Sequence, residues 1–308
     1  EVGVMHACGH DAHVAILMGV AEYLASVRNK LSGSVMFIFQ PAEEGPPVGE
    51  EGGAKLMLKE GIWSKEKPSV IYGLHVTNAP KGLIAYREGP AMAAADPWKI
   101  IIEGEQSHGS TPWAGIDPIM IAFQLGNNLQ TIVSRKLDLR ESPAVISVGS
   151  IHGGVRSNII PEEVVLEGTI RTYDPIIRQK IITEMTKIAE GTASMAGARV
   201  KVMIPNGENY PVTINDEELT IRVLPVLEKI VGKDLLYRTE RGTGAEDFSY
   251  FAQEIPGFFF FLGVNQAGAD PSSTPGNHSP YFLIDDSALV NGVKALTHLT
   301  LETLFENI

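Results

Sequence analysis

A cluster of histidines and the single cysteine lies at the start of the chain. The segment Met5–His13 holds three of the eight histidines together with Cys8. Thiolate and imidazole groups are good ligands for a borderline-soft divalent cation. The alternative is a structural turn in which Cys8 is a small buried hydrophobic residue and Asp11 caps the following helix. Matching ligands elsewhere in the chain would favour the metal site.

Three other residue groups could supply such ligands: the adjacent pair Glu43 and Glu44, then His75, then His278. Neighbouring side chains on an extended or turning backbone diverge, so the two glutamates are expected to differ in role. One can bind a metal while the other stays free as a general base. The alternative for this pair is a solvated loop. Together with the opening cluster, these donors exceed the needs of one tetrahedral site and suit two cations that share a bridging ligand.

The predicted elements bring these residues to one edge of a sheet. Apolar residues at helical spacing predict a helix over Asp11–Arg28, with Asp11 near its N-cap. Continuous apolar runs predict buried strands over Ser34–Gln40 and Val70–Val76, with a helix at 51–60 between them, which is typical of a parallel α/β domain. Sites in open α/β sheets form outside the carboxyl ends of the strands. Glu43, Glu44 and His75 fall at such ends.

A second domain is predicted between residues 98 and 204. Its elements follow the order β-α-β-β-α-β of a ferredoxin-like module, and each helix begins with an aspartate cap and a proline. The predicted strands are Trp98–Glu103, Ala144–Ile151, Glu163–Arg171 and 198–204, and the helices begin at Pro118 and Pro175, the second ending at Gly197.

The chain is then predicted to return to the first domain. Asn215 and Glu218 have the spacing of a capping box for a helix that runs to Val231. The remaining predicted elements are a helix capped by the Glu246–Asp247 pair, the buried strand Phe258–Leu262 and a final amphipathic helix over Asp286–Phe305.

Composition limits the classes of function. The chain has 308 residues, enough for two domains, and a net charge of −12, which argues against a nucleic-acid or anionic-membrane partner. No run approaches ~20 consecutive apolar residues. One cysteine excludes an intramolecular disulfide and leaves the compartment undetermined. Because the sequence opens at Glu1 with an active-site-like motif almost at once, we expect a processed or truncated chain.

Six segments in this order resemble the M20 family of metallopeptidases and amidohydrolases. The similarity is greatest to the aminoacylase-like branch, which includes hippurate hydrolases and plant hydrolases of auxin–amino acid conjugates, and it covers essentially the whole chain. The segments are Met5–His13, Phe39–Gly45, Gly73–Val76, Gly153–Pro161, Gly168–Arg171 and Asn277–Pro280.

The resemblance implies a catalytic α/β domain with a mostly parallel mixed sheet, and an inserted ferredoxin-like α+β domain that acts as a lid and mediates dimerisation. We expect the catalytic domain to comprise residues 1–95 and 208–308, and the lid to comprise 96–207. Family members carry a further N-terminal segment that supports the metal site. The catalytic sheet is therefore expected to be short of its N-terminal strands.

The resemblance also implies residue roles. Glu43 is implied as the general base, and His108 as a lid histidine that polarises the scissile carbonyl in the partner's active site. Asn158 and Arg171 match residues that hold the substrate carboxylate. Read locally, His108 could be an exposed loop residue, Asn158 a turn former, and Arg171 the partner of a neighbouring glutamate. The implied ligands of two metal ions, with Cys8 bridging, are Cys8, His10, Glu44, His75 and His278.

The expected function is hydrolysis of N-acyl amino acids to a carboxylate and a free amino acid. Mn²⁺ or Zn²⁺ is the expected cofactor, since a thiolate with imidazoles favours Zn²⁺ and the resemblance admits Mn²⁺, Co²⁺ or Ni²⁺. The expected partners are a small-molecule substrate and a second copy of the chain. The alternatives are a dipeptidase or aminopeptidase of the same family, and a truncated, non-catalytic metal-binding dimer.

Overall fold

The computed structural model of the chain describes residues 4–306 apart from 48, 139 and 141. Long amphipathic segments form the helices, and most helix ends lie within a few residues of those predicted. The α-helices are α1 (His10–Ser26), α2 (Gly53–Lys59), α3 (Pro118–Lys136), α4 (Pro175–Met195), α5 (Glu217–Val231), α6 (Phe248–Glu254) and α7 (Leu289–Glu306).

Strands fall mainly in the apolar runs, and several short ones were not predicted. The strands are β1 (Ile71–Thr77), β2 (Ile84–Tyr86), β3 (Gly89–Met92), β4 (Ala94–Glu103), β5 (Ser107–His108), β6 (Ala144–Gly153), β7 (Ile159–Ile160), β8 (Glu163–Thr172), β9 (Arg199–Met203), β10 (Thr213–Asn215), β11 (Leu236–Arg238) and β12 (Gly257–Gly263).

The chain divides into two compact units. The first comprises the residues up to Ala91, Ile214–Arg241 and those from Asp247 onward; the second comprises Met92–Thr213 and Gly242–Glu246. The fold is therefore α/β, and each unit has a sheet and a hydrophobic core of its own.

The first unit is built on a mixed sheet of order β1-β12-β2-β11. β1 runs parallel to β12 and β2 runs parallel to β11, while β12 and β2 are antiparallel. β12 contains four consecutive phenylalanines, of which Phe258 and Phe260 are fully buried and face the core. They pack among apolar residues of α1, α5 and α7, so the core covers the sheet that carries the predicted ligand His75.

The predicted strand over Ser34–Gln40 is not assigned as a strand. Its backbone is irregular, and only part of the run is covered: Val35 and Phe37 pack against the core, whereas Met36 and Phe39 are 41% and 48% exposed. A strand needs hydrogen bonds to a neighbouring strand, and the described residues supply none here. The run is therefore hydrophobic and partly buried, but the prediction that it forms a strand is wrong.

The predicted capping box at Asn215 and Glu218 is also wrong. Asp216 caps α5, because its side chain accepts a hydrogen bond from the backbone N–H of Leu219. Asn215 is fully buried and bonds elsewhere: its Nδ2 donates to the carbonyls of Arg87 and Phe259 at 2.8 Å each, and its Oδ1 accepts from the Phe259 N–H at 2.7 Å.

Replacing Asn215 with Ala is expected to lower the free energy of unfolding by about 2–4 kcal/mol, because buried backbone groups of Arg87 and Phe259 lose their partner. Urea denaturation followed by circular dichroism measures this change. The matched control is Asn127→Ala, at an exposed position on α3, which should change stability by less than about 0.5 kcal/mol. Equal stability of the two variants would show that water replaces the lost hydrogen bonds.

The second unit has the predicted ferredoxin-like order. Its four-stranded antiparallel sheet is ordered β6-β8-β4-β9, and α3 and α4 pack against it. Asp117 and Asp174 cap the two helices through side-chain bonds to backbone N–H groups, as predicted. α4 ends at Met195, shortly before Gly197. Within the sheet, Asp96 is fully buried and forms a two-bond ion pair with Arg178, at 2.7 and 2.5 Å.

Among the described helices, none has both the length and the apolar character required to cross a bilayer.

Candidate metal centre

Cys8 lies in a tight loop just before α1, and Gly9 makes that loop possible. Gly9 has a φ of 87°, and a Cβ at this position would lie 2.5 Å from Val76 Cγ2. Only glycine accommodates both the left-handed backbone and this close approach to β1. α1 therefore begins at His10, with Gly9 rather than Asp11 at its N-cap position. The loop places Cys8 beside the carboxyl end of β1, where His75 lies.

The structure brings all five predicted ligand side chains together. Cys8 Sγ lies 3.3 Å from His75 Nε2 and 3.0 Å from His278 Nε2. Cys8, His10 and His75 form one group of three donor atoms within 4.8 Å of one another, and Cys8, Glu44 and His278 form another. Cys8 is common to both groups.

Glu43 and Glu44 occupy different positions relative to these donors. The Ala42 carbonyl accepts from the Gly45 N–H at 3.2 Å, so the glutamates are the two central residues of a turn. Glu44 Oε1 lies 3.2 Å from His278 Nε2 and 3.9 Å from His10 Nε2, whereas Glu43 Oε2 lies 3.7 Å from His10 Nε2. Both glutamates thus form a donor group with His10, but only Glu44 also belongs to a group that contains Cys8.

The hydrogen bonds of His75 suit it to bind a cation. Its Nδ1 is 2.6 Å from the Val76 carbonyl oxygen, which can only accept, so Nδ1 carries the proton. The lone pair of Nε2 then points toward Cys8. Histidine ligands of metals usually donate their other ring N–H in this way. Burial lowers the pKa of His75 to about 4, so the imidazole is neutral at physiological pH, as a ligand must be.

His13 is excluded as a direct ligand through Nε2. That atom accepts a hydrogen bond from the Val76 N–H at 2.9 Å, and burial lowers the pKa of His13 to about 2. Its ring packs edge-on against His75, with the centroids 4.5 Å apart. His13 therefore supports the ligand ring and the end of β1, while His6, earlier in the same segment, is exposed.

The thiol of Cys8 is protonated in the metal-free protein. Burial, followed by the nearby carboxylates of Glu44 and Glu43, raises its pKa to about 12. The same carboxylates create a negative environment that a cation would relieve. Burial also lowers the pKa of His10. One potential thiolate, three imidazoles and two carboxylates in one cluster are a donor set that fits divalent cations.

Asn277 belongs to one of the six segments that resemble the family, but its sequence context predicts no role for it. Its Nδ2 donates to the carbonyls of Cys8 at 2.9 Å and Val76 at 3.0 Å, and the His278 N–H donates to the Ala7 carbonyl at 2.7 Å. These bonds attach the 276–280 loop to the cysteine loop and to β1. His278 has a φ of 69°, an uncommon value for a residue with a side chain. The only available signal was the position of Asn277 directly before a candidate ligand.

Two of the remaining predicted site residues lie side by side in the second unit. β5 pairs with β7, which sets His108 opposite Ile159, and the Gly109 N–H donates to the Asn158 carbonyl at 2.8 Å. The His108 ring is exposed, and its Nδ1 accepts from the Ser110 N–H at 3.1 Å. The ring proton is consequently on Nε2, which is left as a donor.

Arg171 lies on β8 of the same unit, half-buried, opposite Ala95 and Val145 on the neighbouring strands. The local alternative was an ion pair with a glutamate of its own strand. Glu167 instead pairs with Lys99 at 3.1 Å, and within the described part of the chain Arg171 forms no salt bridge. Its guanidinium therefore keeps its donors available for an anion.

Comparison with known proteins settles the family. The model of peptidase family M20/M25/M40 matches residues 1–302. The chain belongs to the M20 family. As a member of it, the chain is a hydrolase that cleaves amide bonds.

Relatives and solved structures agree with this assignment. The chain is 40% identical to thermostable carboxypeptidase 2 of Saccharolobus solfataricus, over 99% of the chain and 74% of the relative. It is 36% identical to an N-acetylcysteine deacetylase of Bacillus subtilis, over 93% and 71% of the two. The crystal structure of the Bacillus subtilis YXEP protein, described as a dinuclear metal binding peptidase from the M20 family, matches with a TM-score of 0.77 and 32% identity, over 99% and 75%.

Proposed function

We propose that this M20 hydrolase uses two divalent cations to cleave the amide bond of N-acyl amino acids, releasing a carboxylate and a free amino acid. The observation that carries the proposal is the pair of three-donor groups that share Cys8. A single thiolate common to two groups is the arrangement that a bridging ligand requires. The relative described as a dinuclear metal binding peptidase supports the same number of ions.

Cys8, His10, Glu44, His75 and His278 would hold the ions, and the ions would polarise the substrate carbonyl and favour ionisation of water. Zn²⁺ suits the thiolate and imidazoles best, and Mn²⁺ is the second candidate because Glu44 contributes a carboxylate.

Glu43 is proposed as the general base. It is adjacent to a proposed ligand but belongs to neither donor group that contains Cys8, and its side chain is 20% exposed against 53% for Glu44. Glu43 takes a proton from the attacking water as the water oxygen bonds to the amide carbon. The carbon–nitrogen bond then breaks, and Glu43 returns the proton to the leaving nitrogen. A positioned carboxylate can perform both transfers.

The second unit is proposed to supply the groups that bind the rest of the substrate. Arg171 and Asn158 would hold its carboxylate, since a guanidinium fork matches a carboxylate in shape and charge. His108 of the partner subunit would donate its Nε2–H to the carbonyl oxygen as negative charge develops there. The Ser110 N–H bond to Nδ1 supports this role, because it holds the tautomer that can donate without a net charge.

Replacing His108 with Ala is expected to lower kcat about 100-fold, the usual loss when a donor to a developing oxyanion is removed. Steady-state hydrolysis of an N-acetyl amino acid measures this. His152→Ala, at another exposed histidine of the same unit, is the control and should keep the wild-type kcat. If kcat is unchanged in the His108 variant, His108 is a surface residue only.

The second unit also offers a surface suited to a homodimer. β6 is an edge strand ten residues long, and α3, which packs against it, exposes Met120 and Phe123 at 62% and 56%. A long unpaired edge beside exposed apolar side chains is typical of a pairing surface. We propose that this surface joins two copies, as active-site sharing through His108 requires. Sedimentation equilibrium of the wild type and of a Phe123→Glu variant tests this, and a monomeric wild type would exclude it.

Assays of the purified chain with Zn²⁺ or Mn²⁺ test the function itself. Hydrolysis of N-acetyl amino acids in preference to free dipeptides supports the proposal. The carboxypeptidase relative favours a second candidate, a peptidase that removes a C-terminal residue from a peptide. Faster cleavage of dipeptides than of blocked amino acids would select that candidate. The absence of metal-dependent turnover on either substrate would leave only a metal-binding role.

A further inference from the structure

The turn that carries Glu43 and Glu44 follows a segment that is not part of a sheet. The run that leads into it, Val35–Gln40, makes no strand hydrogen bonds to other described residues. Ala42, which begins the turn, has a φ of 54°, an unfavourable value for a residue with a Cβ. A strained turn at the end of an unpaired segment keeps its conformation only if neighbouring groups hold it.

Asp247 provides stabilising contacts of this kind. Its Oδ1 accepts from Gln40 Nε2 at 2.6 Å, and its Oδ2 accepts from the Ala54 N–H at 2.7 Å. Asp247 is 3% exposed, so both bonds lie in a region shielded from water, where hydrogen bonds to a charged acceptor are strong. The sequence suggested that this residue caps its own helix, α6, but its side chain makes no cap bond there. The Asp247 carboxylate instead accepts hydrogen bonds from Gln40 and from the start of α2.

The start of α2 completes the attachment. The Gly53 N–H donates to the Pro41 carbonyl at 3.1 Å, so the segment before the turn is bound at its side chain by Asp247 and at its backbone by Gly53. Gly53 has a φ of 66°, and a Cβ there would lie 2.3 Å from Asp247 Oδ2. The absence of a side chain at Gly53 is what lets the carboxylate reach the Ala54 N–H.

We infer that Asp247 is a positioning residue for the catalytic turn, acting through Gln40 to set where Glu43 and Glu44 lie relative to Cys8 and the histidines. A carboxylate oxygen of Glu43 lies within 4.8 Å of one of Asp247, so a change at Asp247 reaches Glu43 over a short distance. The inference rests on the proposed function in taking Glu43 as the base and Glu44 as a ligand.

The test compares Asp247→Asn, Gln40→Ala and the double variant with the wild type. The readouts are the Zn²⁺ dissociation constant, from competition with a chromophoric chelator, and kcat and KM on an N-acetyl amino acid. Asn keeps the size of Asp but cannot accept from both donors. Gln40→Ala leaves the buried Asp247 in place, so it reports on the same contact if Asp247→Asn folds poorly.

Each single variant is expected to bind Zn²⁺ about 10- to 100-fold more weakly or to lose kcat by a similar factor, as changes at residues that support metal ligands usually do. KM should change little, because the substrate carboxylate is held by other residues. The double variant should lose no more than the more affected single variant, since both changes remove one contact.

Asp96→Asn is the matched control. It makes the same substitution at a buried aspartate that pairs with Arg178 in the second unit, and it should lower the melting temperature without changing Zn²⁺ affinity. Wild-type Zn²⁺ affinity and kcat in both single variants, or losses in the double variant equal to the product of the single losses, would overturn the inference. If the wild type hydrolyses no N-acyl amino acid, the proposed function fails, and Zn²⁺ affinity still decides the role of Asp247.

Discussion

Replacing Glu43 with Gln is expected to lower kcat by about 10⁴, the upper end of the contribution of a general acid–base group. Glutamine has nearly the same shape and cannot take a proton from water. Glu43 lies 3.7 Å from His10 Nε2 and belongs to neither donor group that contains Cys8, so the five proposed ligands are unchanged in the variant. Steady-state kinetics on an N-acetyl amino acid, with metal content from mass spectrometry, measures the two effects separately.

Glu44→Gln is the matched control for this variant. The substitution is the same and the position is adjacent, but Glu44 Oε1 lies 3.2 Å from His278 Nε2, inside the cluster. We expect it to lose metal as well as activity. If Glu43→Gln retained near-wild-type turnover, or if it lost metal as Glu44→Gln does, Glu43 would be a ligand or a bystander rather than the base.

Replacing Cys8 with Ser is expected to weaken the binding of both Zn²⁺ ions together, by more than about 100-fold. Mutation of a residue that only supports a metal ligand already lowers metal affinity by about 10- to 100-fold. Both ions are affected because Cys8 belongs to both three-donor groups. A serine hydroxyl matches the thiol in position but does not ionise as a thiol does on binding a metal. Isothermal titration with Zn²⁺ measures the affinity and the number of ions, and activity should fall in parallel.

The control for Cys8→Ser is His6→Ala, an exposed residue two positions away that belongs to none of the donor groups. It should bind two Zn²⁺ ions with nearly unchanged affinity. A Cys8→Ser variant that loses one ion and keeps the other at wild-type affinity would show that the thiolate is a terminal ligand. An unaffected variant would show that Cys8 serves only in packing.

Local sequence patterns were sufficient for most of the architecture. Helical periodicity and aspartate–proline caps located α3 and α4, and the order of elements predicted the ferredoxin-like sheet of the second unit. Such patterns are readable because they depend on residues a few positions apart. The sequence did not predict the short strands β2 and β11, because three residues are too few to show a periodic pattern.

The types of the candidate ligand residues were likewise predicted from their chemistry, although the strand expected to precede Glu43 and Glu44 is not formed. Sequence could not decide how the donors group. The family resemblance implied a bridging Cys8 and different roles for Glu43 and Glu44, but the residues alone left these points open. That Cys8 belongs to two donor groups and that His13 bonds the Val76 N–H are seen only in the three-dimensional arrangement. Adjacent glutamates look alike in sequence, and only a tertiary contact distinguishes them.

The sequence by itself therefore determined the fold class, the second unit's topology and the residue types of a metal centre, because periodicity and ligand chemistry are local properties. Tertiary structure alone decided that Val35–Gln40 is not a strand and that Asp247 bonds Gln40, just before the turn of Glu43 and Glu44. Gln40 and Asp247 are 207 residues apart, and no local pattern encodes which buried donor a distant carboxylate will meet. Those contacts depend on how the chain packs, and we infer that they set the position of Glu43, the proposed base.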